Sequence, residues 1–418
     1  MRTHSLRHLS VALFALVLAA SSAAADIIHW QDLYRGVAMS QAQCAAISQA
    51  VWTSVGGRSF CLRYYLSTAG GQSNRPVVFF GGDAPWASMA DRAAMPPAQA
   101  HFNDVNTDNL VQGADRLSKD QGTTAILFGR VGLDGSSGTH HSLRHTLLEL
   151  MATNAALDAI KTRYHFDGFH IYGHSGGGNL AAGLLELRND IGCDVIADGQ
   201  LTHPNPHGLK LQTGKSADPA FEVFDVTDAV GIIARNRSAR LLVVTDPQDQ
   251  IVRVEHQNPF VEKLRQAGGA VDQFFVDSGG PEHHFTAEHA AVVMHDCIHG
   301  AGHDEIAADL ADFAAKRLAA AARAEAKAGT PILDAPMPPN GSLVNGLNLF
   351  GADYDNFWLE SAEPTLCQSA CRSDAICVAW TYVQPGVQGP QARCWLKNRE
   401  PRQFRSACCV AGVERIKP

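Results

Sequence analysis

Residues 168–182 read GFHIYGHSGGGNLAA, which predicts a short buried β-strand that runs directly into a helix. The first half alternates apolar and polar residues and is rich in β-branched and aromatic side chains. The second half, continued through 183–187, has the small and aliphatic spacing of a helix. Gly173, Ser175 and Gly177 form the Gly-x-Ser-x-Gly pattern of a strained turn that exposes a serine hydroxyl at a helix N-terminus. We therefore interpret Ser175 as a candidate nucleophile.

Apolar runs alternate with helical patterns on both sides of this segment. Such alternation predicts an α/β fold, with a mostly parallel sheet covered by helices on both faces. The run VVFF at 77–80 is apolar throughout, as expected for a strand buried on both faces. The predicted strands are 59–66, 76–81, 124–129, 169–173, 194–198, 240–245 and 272–277. The predicted helices are 142–164, 176–188, 225–235, 255–267 and 287–327, the last interrupted at Gly300 and Gly302.

The other residue types that serine chemistry needs follow later strands of this sheet. A serine hydroxyl is a poor nucleophile at neutral pH and needs a base, and the base needs an acid that orients it. Asp246 and Asp249 follow the predicted strand 240–245, and His283 and His284 follow the predicted strand 272–277. Functional groups gather at the carboxyl ends of parallel strands, so both pairs are candidates to act with Ser175.

Residues 58–320 resemble the α/β-hydrolase superfamily, above all the branch that contains dienelactone hydrolases, acyl esterases and prolyl-oligopeptidase-type peptidases. The resemblance rests on the order serine, acid, histidine and on three segments: GHSGGG at 173–178, DQIV at 249–252 and HF at 284–285. It implies an α/β-hydrolase fold, with Ser175 as nucleophile, His284 as base and Asp249 as acid. We place this domain at 26–328, between a predicted signal peptide and a predicted linker. His283 and Asp246 are the alternatives for the base and the acid.

The resemblance also implies an oxyanion hole of two backbone N–H donors. Gly176, the residue after the nucleophile, gives one donor. The loop after the strand 76–81 gives the other, with Gly82 as the first choice and Asp83 as the second. Family members often have His-Gly at this strand end, whereas this sequence reads FGGD at 80–83 and lacks the histidine. The donor is a main-chain N–H group, so it does not depend on that histidine.

Composition limits the classes of partner and compartment. The chain has 418 residues, 45% of them hydrophobic, and a formal net charge of −8, which argues against a nucleic-acid partner. Residues 1–25 have a basic start, an apolar run and a small-residue end, which predicts a cleaved signal peptide and a secreted or periplasmic protein. No later stretch predicts a transmembrane helix.

We predict neither a metal nor another cofactor. His295 and His299 have the spacing of two ligands on one helix face, but no glutamate follows His295, so a polar helix face is the favoured interpretation. The loop 129–138 is rich in glycine but lacks the lysine of a phosphate-binding loop.

The ten cysteines are an even number and predict disulfides in an oxidising compartment. Four of them lie in the large region, where we expect the pairs Cys44–Cys61 and Cys193–Cys297. The other six follow a proline-rich linker predicted at 329–342. A module of this size cannot bury enough apolar surface alone and needs cross-links.

Residues 343–418 resemble the PAN/Apple domain, notably its bacterial form. The resemblance rests on the segments WTYV at 380–383 and CWLK at 394–397 and on the crowded cysteines. It implies a small disulfide-rich α+β domain that binds a protein or a carbohydrate and has no catalytic residues. We expect the adjacent Cys408 and Cys409 to pair elsewhere and not with each other. The module's other cysteines are Cys367, Cys371, Cys377 and Cys394.

Together these features predict a secreted serine hydrolase that acts on a small-molecule ester or a peptide through an acyl-serine intermediate, with a C-terminal binding module. The alternative is a binding or adhesion protein whose hydrolase fold is inactive. Esters and peptides are not distinguished, because the pocket residues come from several loops.

Overall fold

The computed structural model describes residues 27–29, 32–83, 105–203, 223–280, 282–332 and 335–415. The predicted signal peptide, residues 1–25, lies outside these ranges. The described chain forms a large sheet with helices on both faces, followed by a smaller antiparallel sheet that carries one helix.

The large sheet has eight strands: β1 Ala50–Val55, β2 Arg58–Ser67, β3 Val77–Phe80, β4 Ala125–Phe128, β5 Phe169–His174, β6 Ile191–Ala197, β7 Arg240–Thr245 and β8 Asp272–Phe275. Their order across the sheet is β1-β2-β4-β3-β5-β6-β7-β8. Strand β2 runs antiparallel to its neighbours β1 and β4, whereas all the later pairings are parallel. The prediction of a mostly parallel sheet is therefore confirmed.

Helices cover both faces of this sheet. The main ones are α1 Thr107–Gln121, α2 Leu147–Tyr164, α3 Gly176–Leu187, α4 Asn258–Gln266, α5 Ala287–Ile298 and α6 His303–Ala328. Shorter helices are Asp32–Arg35, Gln41–Ala45, His140–Leu143 and Val230–Ile233, with 3₁₀ turns at Val226–Ala229 and Val254–His256. Across the described ranges, none of the helices is both long enough and apolar enough to cross a bilayer.

Alternate residues of the central strands enter two separate hydrophobic cores. Val78 and Phe80 pack with residues of α2, α3 and α4, whereas Val77 packs with residues of α1, α5 and α6. Val243 packs into the first of these cores and Val244 into the second. This two-sided burial explains why these strands are apolar throughout.

Strand β1 and helix α1 are two of the elements that were not predicted from the sequence. Strand β1 forms a hairpin with β2 through Gly56 and Gly57, which both have positive φ, and such a Gly-Gly turn was an available signal. Helix α1 is largely polar, but Asn106 caps its first turn and Gly122 ends it in the left-handed conformation. Of its buried residues only Ala114 and Leu117 are apolar, so the sequence has few apolar residues that would indicate a helix here.

The C-terminal sheet is antiparallel and holds one helix, α7 Pro364–Ser373. Within the predicted linker 329–342, Thr330 and Pro331 already pair with Arg405 and Phe404 at the edge of this sheet. Its longer strands are β9 Val344–Phe350, β10 Asp353–Trp358, β11 Ala379–Val383, β12 Arg393–Lys397 and β13 Arg402–Val413.

Disulfides cross-link both regions. Cys44 is bonded to Cys61, and Cys193 is bonded to Cys297. In the C-terminal region the pairs are Cys367–Cys394, Cys371–Cys377 and Cys408–Cys409.

The prediction that Cys408 and Cys409 pair elsewhere is wrong, because they are bonded to each other in β13. The physical reason is the distribution of partners: both cysteines of α7 are bonded to other residues, and all ten cysteines are paired, so each of these two has only its neighbour.

The two disulfides of the large region give a first prediction. Cys193–Cys297 spans 104 residues and Cys44–Cys61 spans 17, and all four side chains are buried. Chain entropy assigns about 4.7 kcal/mol to a loop of about 100 residues and about 3 kcal/mol to one of about 15. Replacing Cys193 and Cys297 by alanine should therefore lower the free energy of unfolding by more than the matched double replacement of Cys44 and Cys61. Denaturant unfolding measures this, and equal losses would contradict it.

Asp194 in β6 gives a second prediction. Neither of its carboxylate oxygens has a hydrogen-bond partner, and burial raises its pKa well above the ordinary value. Below the unfolded pKa of about 3.9 the Asp194 carboxyl is protonated in both states and does not reduce stability. As pH rises above that value, only the unfolded chain loses the proton, so the free energy of unfolding falls by about 1.4 kcal/mol per pH unit until the folded pKa is reached.

Asp194→Asn removes this titration. The free energy of unfolding of the variant, relative to that of the wild type, should therefore increase as pH rises from 4. Urea unfolding at several pH values measures the difference, with Asp309→Asn on the exposed side of α6 as the control that should run parallel to the wild type. A parallel curve for Asp194→Asn would contradict the prediction.

Candidate functional site

Ser175 lies between the last residue of β5 and the first residue of α3. Its backbone has φ 56° and ψ −119°, a conformation that costs a non-glycine residue about 1–3 kcal/mol. A Cβ at Gly173 would overlap the carbonyl oxygen of Gly177, and a Cβ at Gly177 would overlap that of Phe80. The two glycines therefore permit both the sharp turn and the close approach of α3 to β3.

The two predicted donor segments of the oxyanion hole lie next to this serine. A Cβ at Gly82, in the loop after β3, would lie 3.2 Å from Ser175 Cβ and 3.2 Å from His174 Nδ1. Gly176 is the first residue of α3, so its N–H has no acceptor within the helix. The chain thus brings a loop and a helix N-terminus together at Ser175.

His284 and Asp249 form a buried hydrogen-bonded pair. His284 Nδ1 lies 2.7 Å from Asp249 Oδ2, and both residues are at least nine-tenths buried. The other carboxylate oxygen of Asp249 accepts the backbone N–H groups of Ile251 and Val252 at 2.7 and 2.9 Å. These bonds hold the carboxylate and the imidazole in one orientation and leave Nε2 of His284 as its basic nitrogen.

His174 connects this pair to the serine. Its ring centroid lies 4.7 Å from that of His284, and its Nε2 lies 2.6 Å from the carbonyl oxygen of His284 and donates to it. Burial and the neighbouring His284 lower the pKa of His174 to about 4, so its ring is neutral. The described contacts include no hydrogen bond between Ser175 and His284, and such bonds are often long before substrate binds.

His283 and Asp246 form a second pair with different surroundings. His283 Nδ1 lies 3.2 Å from Asp246 Oδ2 and 3.3 Å from the exposed Asp277. Asp246 also accepts the N–H and hydroxyl of Ser278 and the N–H of Gln248, all within 2.8 Å. Burial raises the pKa of Asp246, but these hydrogen bonds outweigh it and hold the pKa below its ordinary value. The pair thus ties together the loops after β7 and β8.

Asp198, which follows β6, is a site residue that sequence reasoning missed. Its carboxylate accepts the backbone N–H of Asp246 at 2.9 Å and lies within 4.8 Å of ring nitrogens of His174 and His284. Burial, together with the nearby charge of Asp249, raises its pKa to about 7. The signal was available, because Asp198 lies at the end of a predicted strand, where functional groups gather.

Two groups of side chains have the mutual spacing of metal ligands: His174, Asp198 and His284 form one, and Asp246, Asp277 and His283 form the other. Both consist of residues already bonded within the serine site or its second pair. In the described ranges, His295 and His299 belong to no group of this kind; their rings lie 4.3 Å apart, and His299 bonds the backbone carbonyl of His295.

Comparison with known proteins bears directly on the C-terminal region. A family model described as a PAN domain matches residues 347–397. No curated protein matches the sequence.

Several solved structures are similar to the large region at low identity. An esterase from Pyrococcus furiosus is 15% identical, with 63% of this chain and 94% of that chain covered and a TM-score of 0.42. Est1E from Butyrivibrio proteoclasticus with bound ferulic acid is 15% identical, over 59% of this chain and 96% of that chain, with a TM-score of 0.39. An acylaminoacyl peptidase is 12% identical, over 57% of this chain and 38% of that chain, with a TM-score of 0.39.

The strand order and the strand–serine–helix turn are those expected of an α/β hydrolase, and a PAN domain follows them. The chain therefore combines an α/β-hydrolase fold with a C-terminal PAN domain.

Proposed function

We propose that the protein is a serine hydrolase in which Ser175 attacks the carbonyl of an ester or a peptide, with His284 as base and Asp249 as the acid that orients it. The observation that carries the proposal is the 2.7 Å bond between His284 and the buried Asp249 carboxylate, beside a serine in a strained turn. This is the base–acid arrangement that a serine nucleophile requires.

The reaction has two halves. Ser175 Oγ attacks the carbonyl carbon, and its proton passes to His284 Nε2. The bond to the leaving alcohol or amine then breaks, and the leaving group takes that proton. Water attacks the acyl-Ser175 by the same route and releases the acid. Throughout, Asp249 accepts the Nδ1–H of His284 and stabilises the transient imidazolium.

The negative oxygen of each tetrahedral intermediate would be held by backbone donors. Gly176 N–H is the first, and the loop after β3 supplies the second, through Gly82 or Asp83. Both segments adjoin Ser175, and the position of Gly176 at a helix N-terminus favours developing negative charge.

The C-terminal PAN domain would bring the hydrolase domain close to its substrate. We propose that the PAN domain binds a protein or a carbohydrate near the substrate and that residues 1–25 direct the chain to a secreted or periplasmic location. The five disulfides support an extracellular setting. The proposed substrate is a small-molecule ester or a peptide, with no cofactor, no nucleic-acid partner and no membrane span.

The two histidines provide a matched test. His284→Asn should reduce kcat for hydrolysis of p-nitrophenyl acetate by about 10³-fold or more, as should Ser175→Ala, because the serine loses its base. His283→Asn should stay within about threefold of the wild type, since His283 acts only through the second pair. Retained activity in His284→Asn with loss in His283→Asn would assign the base to His283. A folded wild type that hydrolyses neither aryl esters nor peptide substrates would favour an inactive binding protein.

The two aspartates separate catalysis from stability in the same way. Asp249→Asn should reduce kcat by about 10³-fold or more, because an amide in this position favours the wrong histidine tautomer. Asp246→Asn should mainly lower the melting temperature, because it disturbs three hydrogen bonds that join two loops. Steady-state kinetics and thermal unfolding of both variants measure this, and the reverse pattern would make Asp246 the catalytic acid.

A further inference from the structure

Arg130, in the loop after β4, is a charged side chain with no solvent exposure. Its Nε and Nη2 atoms lie 3.1 and 3.2 Å from the two carboxylate oxygens of Glu149, in the first turn of α2. Its Nη1 donates to the carbonyl oxygen of Gly81 at 3.1 Å and to Asp83 Oδ1 at 2.8 Å. One guanidinium therefore joins the start of α2 to the loop that follows β3.

That loop is the one proposed to donate to the oxyanion. Gly82 lies between the two residues that Arg130 contacts and passes directly over Ser175. The carboxylate of Asp83 occupies the space that a Cβ of Gly176 would need. Arg130 is thus connected to both proposed donor segments, to one directly and to the other through Asp83.

His145 also connects Asp83 to Glu149. Its Nε2 lies 2.6 Å from Asp83 Oδ2, and its backbone N–H donates to Glu149 at 2.8 Å. Arg144 and His140 also face the Asp83 carboxylate, at 3.4 and 3.6 Å. Partial burial raises the pKa of Asp83, but His145 and Arg130 outweigh it and keep the group well below its ordinary pKa. Asp83 is therefore a fixed anion, held on several sides.

We propose that Arg130 is a positioning residue that fixes the Gly81–Asp83 loop, and with it the backbone donor of the oxyanion hole. The inference rests on the proposed hydrolase function. A backbone donor stabilises the oxyanion only if it lies about 2.7–3.1 Å from where that oxygen forms, and loss of one donor costs about 10²–10³-fold in kcat. Replacing a residue that only positions the donor should therefore lower kcat by a smaller factor.

Arg130→Lys keeps the positive charge but cannot bond Glu149, Gly81 and Asp83 together, because an ammonium lacks the planar fork. We expect kcat for p-nitrophenyl acetate to fall about 10- to 100-fold while KM changes less than about threefold, since the donor acts in the transition state. Affinity for a trifluoromethyl ketone inhibitor, which forms a tetrahedral adduct, should fall in parallel with kcat/KM.

Arg188→Lys is the matched control. Arg188 is also buried and bonds two acids, Asp158 and Asp190, but it follows the opposite end of α3. Arg188→Lys should lower the free energy of unfolding without changing kcat. Equal kcat losses in the two variants would show a general effect of disturbing buried charges and would overturn the proposal, as would a folded Arg130→Lys with the kcat of the wild type.

Disturbing a buried ion pair destabilises a fold strongly, so a second variant is needed in case Arg130→Lys does not fold. Asp83→Asn then decides, because it keeps the Arg130 contacts with Gly81 and Glu149 and weakens the pairing of the loop with Arg130 and with the other groups around the Asp83 carboxylate. We expect a kcat loss of about tenfold with KM nearly unchanged, and a folded variant with normal kcat would overturn the proposal. A Ser175-dependent reaction of the wild type with a fluorophosphonate probe separates this outcome from failure of the hydrolase function itself.

Discussion

The strained backbone of Ser175 is the constraint on which the rest of the site depends. A left-handed residue between β5 and α3 costs about 1–3 kcal/mol and persists only where its surroundings fix it. Here Gly173 and Gly177 let strand, turn and helix approach more closely than any side chain would allow. The apolar faces of β5 and α3 pack into the core on either side of the turn and hold it in place.

Sheet order then determines which loops can reach the serine. Because β3 lies directly beside β5, the loop that contains Gly82 passes over Ser175. The strands β6, β7 and β8 follow in order on the other side, and the residues after them include Asp198, Asp249 and His284. Two groups of polar residues therefore flank the serine: a histidine–carboxylate group on one side and the Arg130 network on the other.

Much of this arrangement could be predicted, because its signals are local. The serine turn is a contiguous pattern, and buried parallel strands are apolar runs whose carboxyl ends locate functional groups. The choice between neighbours such as His283 and His284 could not be made from spacing alone, because each histidine has its own carboxylate partner in the folded chain.

The features missed by the sequence analysis depend on contacts between distant residues. Arg130 lies 47 residues from Asp83 and 19 from Glu149 in sequence, and nothing local marks an arginine as buried. The Cys408–Cys409 bond was missed because it depends on where all the other cysteines pair. Helix α1 was missed because few of its buried residues are apolar, although Asn106 and Gly122 mark its ends.

The central claim is that the fold activates Ser175 in particular. Its most direct test is to treat the folded protein with a fluorophosphonate and to locate the adduct by peptide mass spectrometry, with the denatured chain as control. We predict one adduct per folded chain, on the peptide that carries Ser175, and none on the denatured chain. An adduct on a different serine, or a folded chain that takes up no phosphonate, would contradict the account.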